Sequence, residues 1–273
     1  MSYLDKTYEV GSSIELGLYN KFKNYFNVVF DVGSREDMYF HEMHPSCEYH
    51  LFEPHPEFYK NLVEKVKKII EVTTSKSNIY TNNLGLGRHE SLSVPYYNKS
   101  QSIHVNPYAG EGPQPKPAFS IKLSTLDKYC SDRFIDKIDF LKIDTEGNDY
   151  EVFSGGKKMV EKDAISFIQF EFWRTKNNTS EKCDIWEWHR AISQKYKMFL
   201  LMEPPLMKNI VSMNLLGRRE QDRKLNMIRP VIPVTEPIMD WMENVLLPSN
   251  GGGGNIFCEH RKINSKFLQG VDE

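Results

Sequence analysis

The N-terminal half of the chain alternates short apolar segments with an amphipathic one. Val28-Val29-Phe30 is an apolar run that ends in Asp31-Val32-Gly33, as a buried parallel strand ends in a turn. Tyr49 to Phe52 is a second such run and ends at Glu53. Pro54 and Pro56 open the next segment, whose apolar side chains fall at helical spacing: Phe58, Leu62, Val66, Ile69 and Ile70. This alternation is typical of a doubly wound α/β fold.

Further apolar segments continue the pattern to the end of the chain. We expect more strands at residues 78–83, 91–97, 119–123, 138–143, 165–172, 197–202 and 255–258. A capped helix start is predicted at Ser124-Thr125-Leu126-Asp127, and an amphipathic helix at residues 184–196. Strands that alternate with helices build a mostly parallel sheet, and we expect about seven strands in it.

Three segments lack a clean period. Residues 1–25 are interpreted as an N-terminal extension. Residues 98–117 are rich in Asn, Ser, Gly and Pro, which predicts a long loop that contacts substrate. Residues 203–250 carry several prolines and scattered Met, and are predicted to be a C-terminal insertion that forms a lid or a partner contact. The length of 273 residues suits a single domain, 1–273.

Charge and composition narrow the class of protein. The formal net charge is −2, and the basic clusters at Lys65 to Lys68 and at Arg218-Arg219 are short, so a nucleic-acid partner is not expected. No apolar run approaches the roughly 20 residues that span a bilayer. Met1 to Val10 are polar, and we therefore expect a cytoplasmic protein without a membrane span. The 4 cysteines form no C-x-x-C pair, which disfavours a zinc site or a disulfide framework. The oligomeric state is not indicated.

Asp31 and Glu53 lie where an open parallel sheet binds its ligands, beyond the carboxyl ends of the strands. A carboxylate at the end of the second strand accepts hydrogen bonds from ribose hydroxyls. A dinucleotide site needs further glycines for the pyrophosphate, but here Gly33 is followed by Ser34-Arg35-Glu36-Asp37, whose acids repel phosphate. S-adenosylmethionine has no phosphate, and its ammonium can pair with Asp31. The pattern therefore favours a methyl donor over NAD.

Several blocks of sequence together resemble the FkbM family of methyltransferases. They are Phe30 to Gly33, Leu51 to Pro56, Ser124 to Asp127, Ile138 to Gly147, Glu151 to Phe153, Gly155-Gly156 and Asn255 to Phe257. Lys142-Ile143-Asp144-x-Glu146-Gly147 is the most specific of them. The resemblance covers residues 26–202 and the last strand.

The resemblance implies a class I methyltransferase fold, which is Rossmann-like, and O-methylation of a hydroxyl, commonly on a sugar or natural product. It implies that the cofactor is S-adenosylmethionine. Asp31, Gly33 and the adjoining Ser34 then go to its methionine end, and Asp144 faces the sulfonium. The residues that would surround the nucleoside are Glu53 at the ribose, Pro54 at the adenine edge, and Asn83, Leu84 and Gly85 beside the adenine.

Three carboxylates supply candidates for the chemistry. A hydroxyl is a poor nucleophile until its proton leaves, so a general base is needed. We expect Asp144 or Glu146 to be that base, and Glu171 to be an orienting residue beside it. The same three residues could instead hold a divalent cation through oxygen ligands. His104 and Trp173 are candidates for contact with a small-molecule or glycan acceptor.

Two other functions remain open. The turn from Ser34 to Asp37 departs from the family, which has a small residue, then Asn, then a glycine. This departure keeps open a catalytically degenerate Rossmann module that acts as a binding protein. RNA methylation is the other alternative, and the missing basic stripe disfavours it.

Overall fold

A computed structural model of the protein describes most of the chain. The described residues are 18–19, 22–36, 47–72, 78–99, 102–104, 118–173, 185–201, 231–242 and 253–263.

The described strands are numbered in chain order. They are β1 Val28–Val32, β2 Glu48–Phe52, β3 Asn78–Asn82, β4 Gly85–Leu86, β5 Ser91–Lys99, β6 Ser102–His104, β7 Phe119–Ser124, β8 Ile138–Ile143, β9 Ile165–Trp173, β10 Tyr196–Leu201, β11 Val231–Pro233 and β12 Gly253–His260. The helices are α1 Pro56–Val72, α2 Leu126–Asp132, α3 Asp149–Ser154, α4 Lys157–Glu161, α5 Ile185–Ile192 and α6 Glu236–Trp241, and a 3-10 turn spans Lys23–Tyr25.

Within the described part of the chain, the main sheet has 8 strands in the order β11-β10-β12-β9-β8-β1-β2-β3. Adjacent strands in the part of the sheet ordered β9-β8-β1-β2-β3 all run parallel to each other. β12 runs antiparallel to both β9 and β10. The expected mostly parallel, doubly wound sheet is therefore confirmed, with β11 as a short additional edge strand. The chain passes from β3 to the opposite side of β1 to form β8, so the strand order reverses at β1, where such sheets bind ligands.

Two apolar layers cover the sheet because successive side chains of a strand point to opposite faces. Phe30 and Leu141 belong to the layer formed with α2 to α6. Val29 and Phe140 belong to the other layer, which Leu62 of α1 completes. Strands buried on both faces read as continuous apolar runs, and this explains why periodicity located them well. None of the described helices is both long and apolar enough to cross a membrane.

The structure changes the bounds of the segments in which the sequence shows no hydrophobic periodicity. Leu18, Tyr19 and Phe22 are buried in the α1 layer, so this part of the N-terminal extension packs on the sheet. Part of the expected insertion also belongs to the core, because β11 pairs with β10 and Ile238 and Met239 of α6 are buried. Residues 203–230 and 243–250 lie outside the described residues.

A second, smaller sheet has the order β4-β7-β5-β6. In it Tyr97 pairs with His104 and Lys99 with Ser102. The start of the loop expected at residues 98–117 is therefore a pair of antiparallel strands. Residues 105–117 lie outside the described residues.

One ion cluster joins three strands at the end of the main sheet opposite the reversal point of β1. Asp163, in the turn before β9, accepts hydrogen bonds from Lys195, directly before β10, and from Lys262 after β12. The Nε2 atom of His260 lies 3.2 Å from the same carboxylate. These partners, Lys195 first, hold the pKa of Asp163 well below its usual range.

We expect Asp163→Asn to lower the melting temperature, and this loss to depend on pH. A carboxyl whose pKa is lower in the folded state stabilises the fold above its unfolded pKa, and this contribution disappears as the pH falls. The gap in melting temperature between wild type and variant should therefore shrink as the pH falls below about 4. Thermal unfolding from about pH 5 downward measures it. A gap that widens below about pH 4 would contradict the assignment.

Candidate active site

The turn after β1 brings three strand ends together. The N–H groups of Gly33 and Ser34 donate to the carbonyl oxygen of Phe52 at 3.0 and 3.1 Å. The N–H of Asp144 donates to the carbonyl oxygen of Val32 at 2.9 Å. Gly33 has a φ of 90°, and a Cβ there would lie 1.8 Å from the carbonyl oxygen of Asp144. Only glycine allows this approach between the turn and the end of β8.

Glu53, directly after β2, is a buried carboxylate with 3% exposure. Its Oε2 atom accepts a hydrogen bond from the N–H of Arg35, and its Oε1 atom from the N–H of His55, each at 2.8 Å. Burial raises the pKa of Glu53 to about 6, although both hydrogen bonds and the charge of Arg35 act in the opposite direction. Each oxygen retains a second lone pair for a ligand hydroxyl.

These strand ends border a cavity of about 130 Å³. Its polar border includes Gly33, Arg35, Glu53 and the segment after β8. Its apolar walls come from the ends of β1 and β2, from α1, and from the small sheet: Val32, Phe52, Pro54, Phe58, Leu84, Gly85, Leu86, Ile121 and Leu123. A Cβ on Gly85 would lie 2.6 Å from the Cδ2 atom of Leu123, so this glycine lets β4 pack against β7.

Asn83 shapes the cavity from outside. Its Nδ2 atom donates to the carbonyl oxygens of Glu53 at 3.0 Å and Pro54 at 3.1 Å. Glu53, Pro54, Leu84 and Gly85 border the cavity, whereas Asn83 is not among its lining residues. The assignment of these residues to a nucleoside stays a prediction. The side chain of Asn83 fixes the backbone after β2.

Asp31 lies beside the cavity and is not among its lining residues. It pairs in register with Lys142 of β8, whose Nζ atom lies 3.5 Å from the Oδ1 atom of Asp31. The same Nζ atom donates to the Oδ2 atom of Asp144 at 3.0 Å. The Oγ atom of Ser34 donates to the carbonyl oxygen of Asp31 at 2.8 Å. Asp31 and Ser34 thus support the turn and its link to β8. Their assignment to the methionine end of the cofactor stays a prediction.

The segment from Asp144 to Asn148, which we call the acidic turn, follows β8 and contributes to the wall of the cavity. Asp144, Thr145, Glu146 and Asn148 line it. Glu146 has a φ of 54° and Gly147 a φ of 98°. A positive φ in a non-glycine residue is strained, and such residues often lie at functional sites. Two candidate bases, Asp144 and Glu146, therefore share one conformationally constrained turn.

Sequence reasoning missed Asp149 at the start of α3. This side chain has 4% exposure. Its Oδ2 atom accepts hydrogen bonds from the N–H of Thr145 at 3.1 Å and from its Oγ1 atom at 2.7 Å. Its Oδ1 atom accepts one from the N–H of Glu171 at 3.1 Å. Burial, reinforced by the charge of Asp144, raises the pKa of Asp149 to about 7.

Glu171 lies near the end of β9 and is not among the residues that line the cavity. The possibility of a divalent cation held by Asp144, Glu146 and Glu171 receives no support. Among the described residues, which include all three, no group of His, Cys, Asp or Glu side chains is arranged to hold a metal ion.

The two predicted acceptor contacts lie in different sheets. Trp173 ends β9 and pairs with Gly253 of β12. His104 is on β6, the edge strand of the small sheet farthest from β4. Their role toward an acceptor stays a prediction.

Other residues of the cavity were absent from the sequence-based site. Arg35, Phe58, Ile121, Leu123, Thr145 and Asn148 line it. The sequence could have indicated Ile121 and Leu123, because alternate residues of the strand predicted at 119–123 lie on the same face. The sequence contained no indication that Arg35 borders the cavity, since the position of Arg35 depends on the conformation of the turn after β1.

A mostly parallel sheet with a cavity at the reversal point of its strand order defines a Rossmann-like α/β fold. Residues 31–190, more than half of the chain, match the model of the methyltransferase FkbM domain. The chain belongs to the FkbM methyltransferase family. The class I Rossmann-like fold expected from the sequence is thereby confirmed.

Several solved structures are similar to this chain. Methyltransferase FkbM from Methylobacillus flagellatus KT has 14% identity and a TM-score of 0.44, and the match covers 64% of this chain and 39% of that one. M. capricolum TrmK in complex with S-adenosyl-homocysteine has 16% identity and a TM-score of 0.37, with coverage of 70% and 64%. Precorrin-6y C5,15-methyltransferase from Geobacter metallireducens GS-15 has 9% identity and a TM-score of 0.38, with coverage of 93% and 95%. No curated protein matches the sequence.

We expect Gly33→Ala to lower the free energy of unfolding by about 2 kcal/mol or more, because the new Cβ meets the Asp144 carbonyl and the backbone is left-handed. Urea unfolding measures this change. Gly87→Ala is the matched control, since its Cβ would meet only the Cδ1 atom of Leu123 at 3.6 Å. The control should change stability by less than about 1 kcal/mol. Equal losses in the two variants would contradict the role of Gly33.

Proposed function

We propose that this protein transfers a methyl group from S-adenosylmethionine to a hydroxyl of a small-molecule acceptor such as a sugar or glycan. One observation carries the proposal. The cavity at the ends of β1, β2 and β8 joins a buried carboxylate, Glu53, with apolar walls and the acidic turn. Membership of the FkbM family supports methyl transfer. The bound S-adenosyl-homocysteine in the structure of M. capricolum TrmK supports the choice of donor.

The lining residues fit the nucleoside of this donor. Leu84, Ile121 and Leu123 offer apolar surface to a purine ring, and Glu53 offers carboxylate oxygens to ribose hydroxyls. The later glycines of a pyrophosphate-binding turn are missing after Gly33, whereas Gly33 itself still allows close approach of the backbone. The site therefore suits a nucleoside without a pyrophosphate.

The methionine end of the donor would face the acidic turn. Asp144 is partly exposed at the cavity and can pair with an ammonium group. Asp31 is held by Lys142, and Lys142 also holds Asp144. Asp31 and Asp144 therefore share one lysine, and both carboxylates are proposed to face the ammonium group.

The donor supplies a methyl group on a sulfonium, which is an excellent leaving group. The protein must hold the acceptor oxygen in line with that methyl group and remove the hydroxyl proton. Glu146 and Asp144 are the candidate bases because both line the cavity at the end of β8. Glu171 is tied to the same turn through Asp149, and we assign it to orienting the acceptor.

Binding of S-adenosyl-homocysteine separates this proposal from a binding module without catalysis. If calorimetry detects no binding of S-adenosyl-homocysteine at a concentration of about 1 mM, the proposed methyltransferase activity is contradicted, because a dissociation constant above this value is very weak for such a ligand. If the ligand binds, methyl transfer to hydroxyl-bearing sugars and to RNA should then be compared at several salt concentrations. Activity on RNA that falls steeply with salt would favour the alternative acceptor.

We expect the affinity for S-adenosyl-homocysteine to fall below about pH 6. Ribose hydroxyls donate to the ionised form of Glu53, and burial raises its pKa to about 6, so protonation competes with binding. The dissociation constant should be about tenfold higher at about pH 5 than at neutral pH. Glu53→Gln should bind weakly at every pH, and Glu57→Gln, on the exposed first turn of α1, should behave like wild type. A pH-independent affinity in wild type would remove Glu53 from the ribose site.

We expect Glu146→Gln or Asp144→Asn to lower kcat by about 10²- to 10⁴-fold, because an amide cannot accept the hydroxyl proton. The dissociation constant of S-adenosyl-homocysteine should change little in Glu146→Gln, whereas Asp144→Asn should also raise it, because Asp144 is placed at the ammonium group of the donor. Glu151→Gln, an exposed acid of α3 paired with Arg88, serves as the control. Near-normal kcat in both variants would exclude both residues as the base.

A further inference from the structure

One buried side chain connects the ends of β8 and β9. The carboxylate of Asp149 accepts two hydrogen bonds from Thr145 in the acidic turn and one from the backbone of Glu171 on β9. The first pair of bonds ends on Oδ2 and the last on Oδ1, so each oxygen serves a different strand end. All three candidate carboxylates of the proposed reaction are on these two strand ends.

The backbone of the acidic turn needs such support. Glu146 has a φ of 54° and Gly147 a φ of 98°. A non-glycine residue in the left-handed region costs about 1–3 kcal/mol and persists only when its surroundings fix it. Thr145 is bonded to Asp149 on one side of these residues, and Asp149 begins α3 on the other side. The two bonds therefore close a loop around Glu146.

Asp149 does not border the cavity and has 4% exposure, so it does not touch a ligand there. We propose that Asp149 is a positioning residue that holds Glu146 and Glu171 in the geometry needed for methyl transfer. This inference rests on the proposed function of the site.

The groups around Asp149 determine its pKa. From the acidic turn it faces the hydroxyl and N–H of Thr145 and the charge of Asp144, and from β9 it faces the N–H of Glu171. Burial raises its pKa to about 7. Because the carboxylate form accepts all three hydrogen bonds, the positioned state of the turn belongs to the ionised residue.

The test compares three variants. Asp149→Ala removes both links, Asp149→Asn keeps one oxygen acceptor, and Thr145→Val removes only the hydroxyl donor to Oδ2. We expect kcat to fall about 10- to 100-fold in Asp149→Ala and less in the other two, since small displacements of catalytic groups cost this much. The dissociation constant of S-adenosyl-homocysteine should change less than kcat does, because the nucleoside contacts lie on β2 and the small sheet and only the methionine end faces the acidic turn.

Two further readouts separate positioning from a purely structural role. Thr145→Val should have no additional effect on kcat in the Asp149→Ala background, because both changes act through one link. Asp127→Asn is the matched control: Asp127 accepts hydrogen bonds from the N–H groups of Lys158 and Met159, away from the cavity. It should lower the melting temperature and leave kcat unchanged. An Asp149→Ala variant that lowers the melting temperature while kcat is retained would overturn the proposal.

Hydrogen exchange distinguishes failure of this inference from failure of the proposed function. The N–H groups of Thr145 and Glu171 donate to Asp149. Their exchange should speed up in Asp149→Ala, which removes both acceptor oxygens, whereas the N–H groups of β1 and β2 should be unaffected. If the exchange rates change but wild type transfers no methyl group to any acceptor, the proposed function fails, and with it the catalytic purpose of the link. If wild type is active and the exchange rates do not change, the positioning role is wrong and the proposed function stands.

Discussion

The close approach of the turn after β1 to the end of β8 is the constraint on which the site depends. Gly33 has no side chain, so its Cα can lie against the carbonyl oxygen of Asp144, where a Cβ would be only 1.8 Å away. The N–H groups of Gly33 and Ser34 bind the end of β2 at the same time. One turn thus fixes the relative position of three strand ends, and the cavity is the space that remains between them.

Two sets of acidic groups then differ in their environments. Glu53 is buried and bonded to two backbone N–H groups, and its raised pKa reflects the dominance of burial. Asp144 and Glu146 border the cavity on a strained turn, where Lys142 bonds Asp144. The proposed division of labour follows from this difference: a fixed, buried carboxylate suits recognition of the nucleoside, and partly exposed carboxylates suit proton removal from an acceptor.

The supporting residues tie this site to the fold. Asp149 connects the acidic turn with β9, and Asn83 fixes the backbone after β2. Neither borders the cavity, so its geometry depends on side chains that no ligand would touch. The hydrogen bonds of Asp149 maintain the strained conformation of Glu146, which the local sequence by itself disfavours.

The sequence by itself determined the strands of the main sheet other than β11, and several residues of the cavity. Strands covered on both faces are continuous apolar runs, and the ends of parallel strands bring Glu53 and Asp144 to one edge of the sheet. Only the tertiary structure decided that Asp31 pairs with Lys142, that Asn83 bonds the backbone, and that β11 and α6 join the core. The physical reason is range: periodicity records which face of an element is buried, whereas the partner of a polar side chain depends on residues that are distant in sequence.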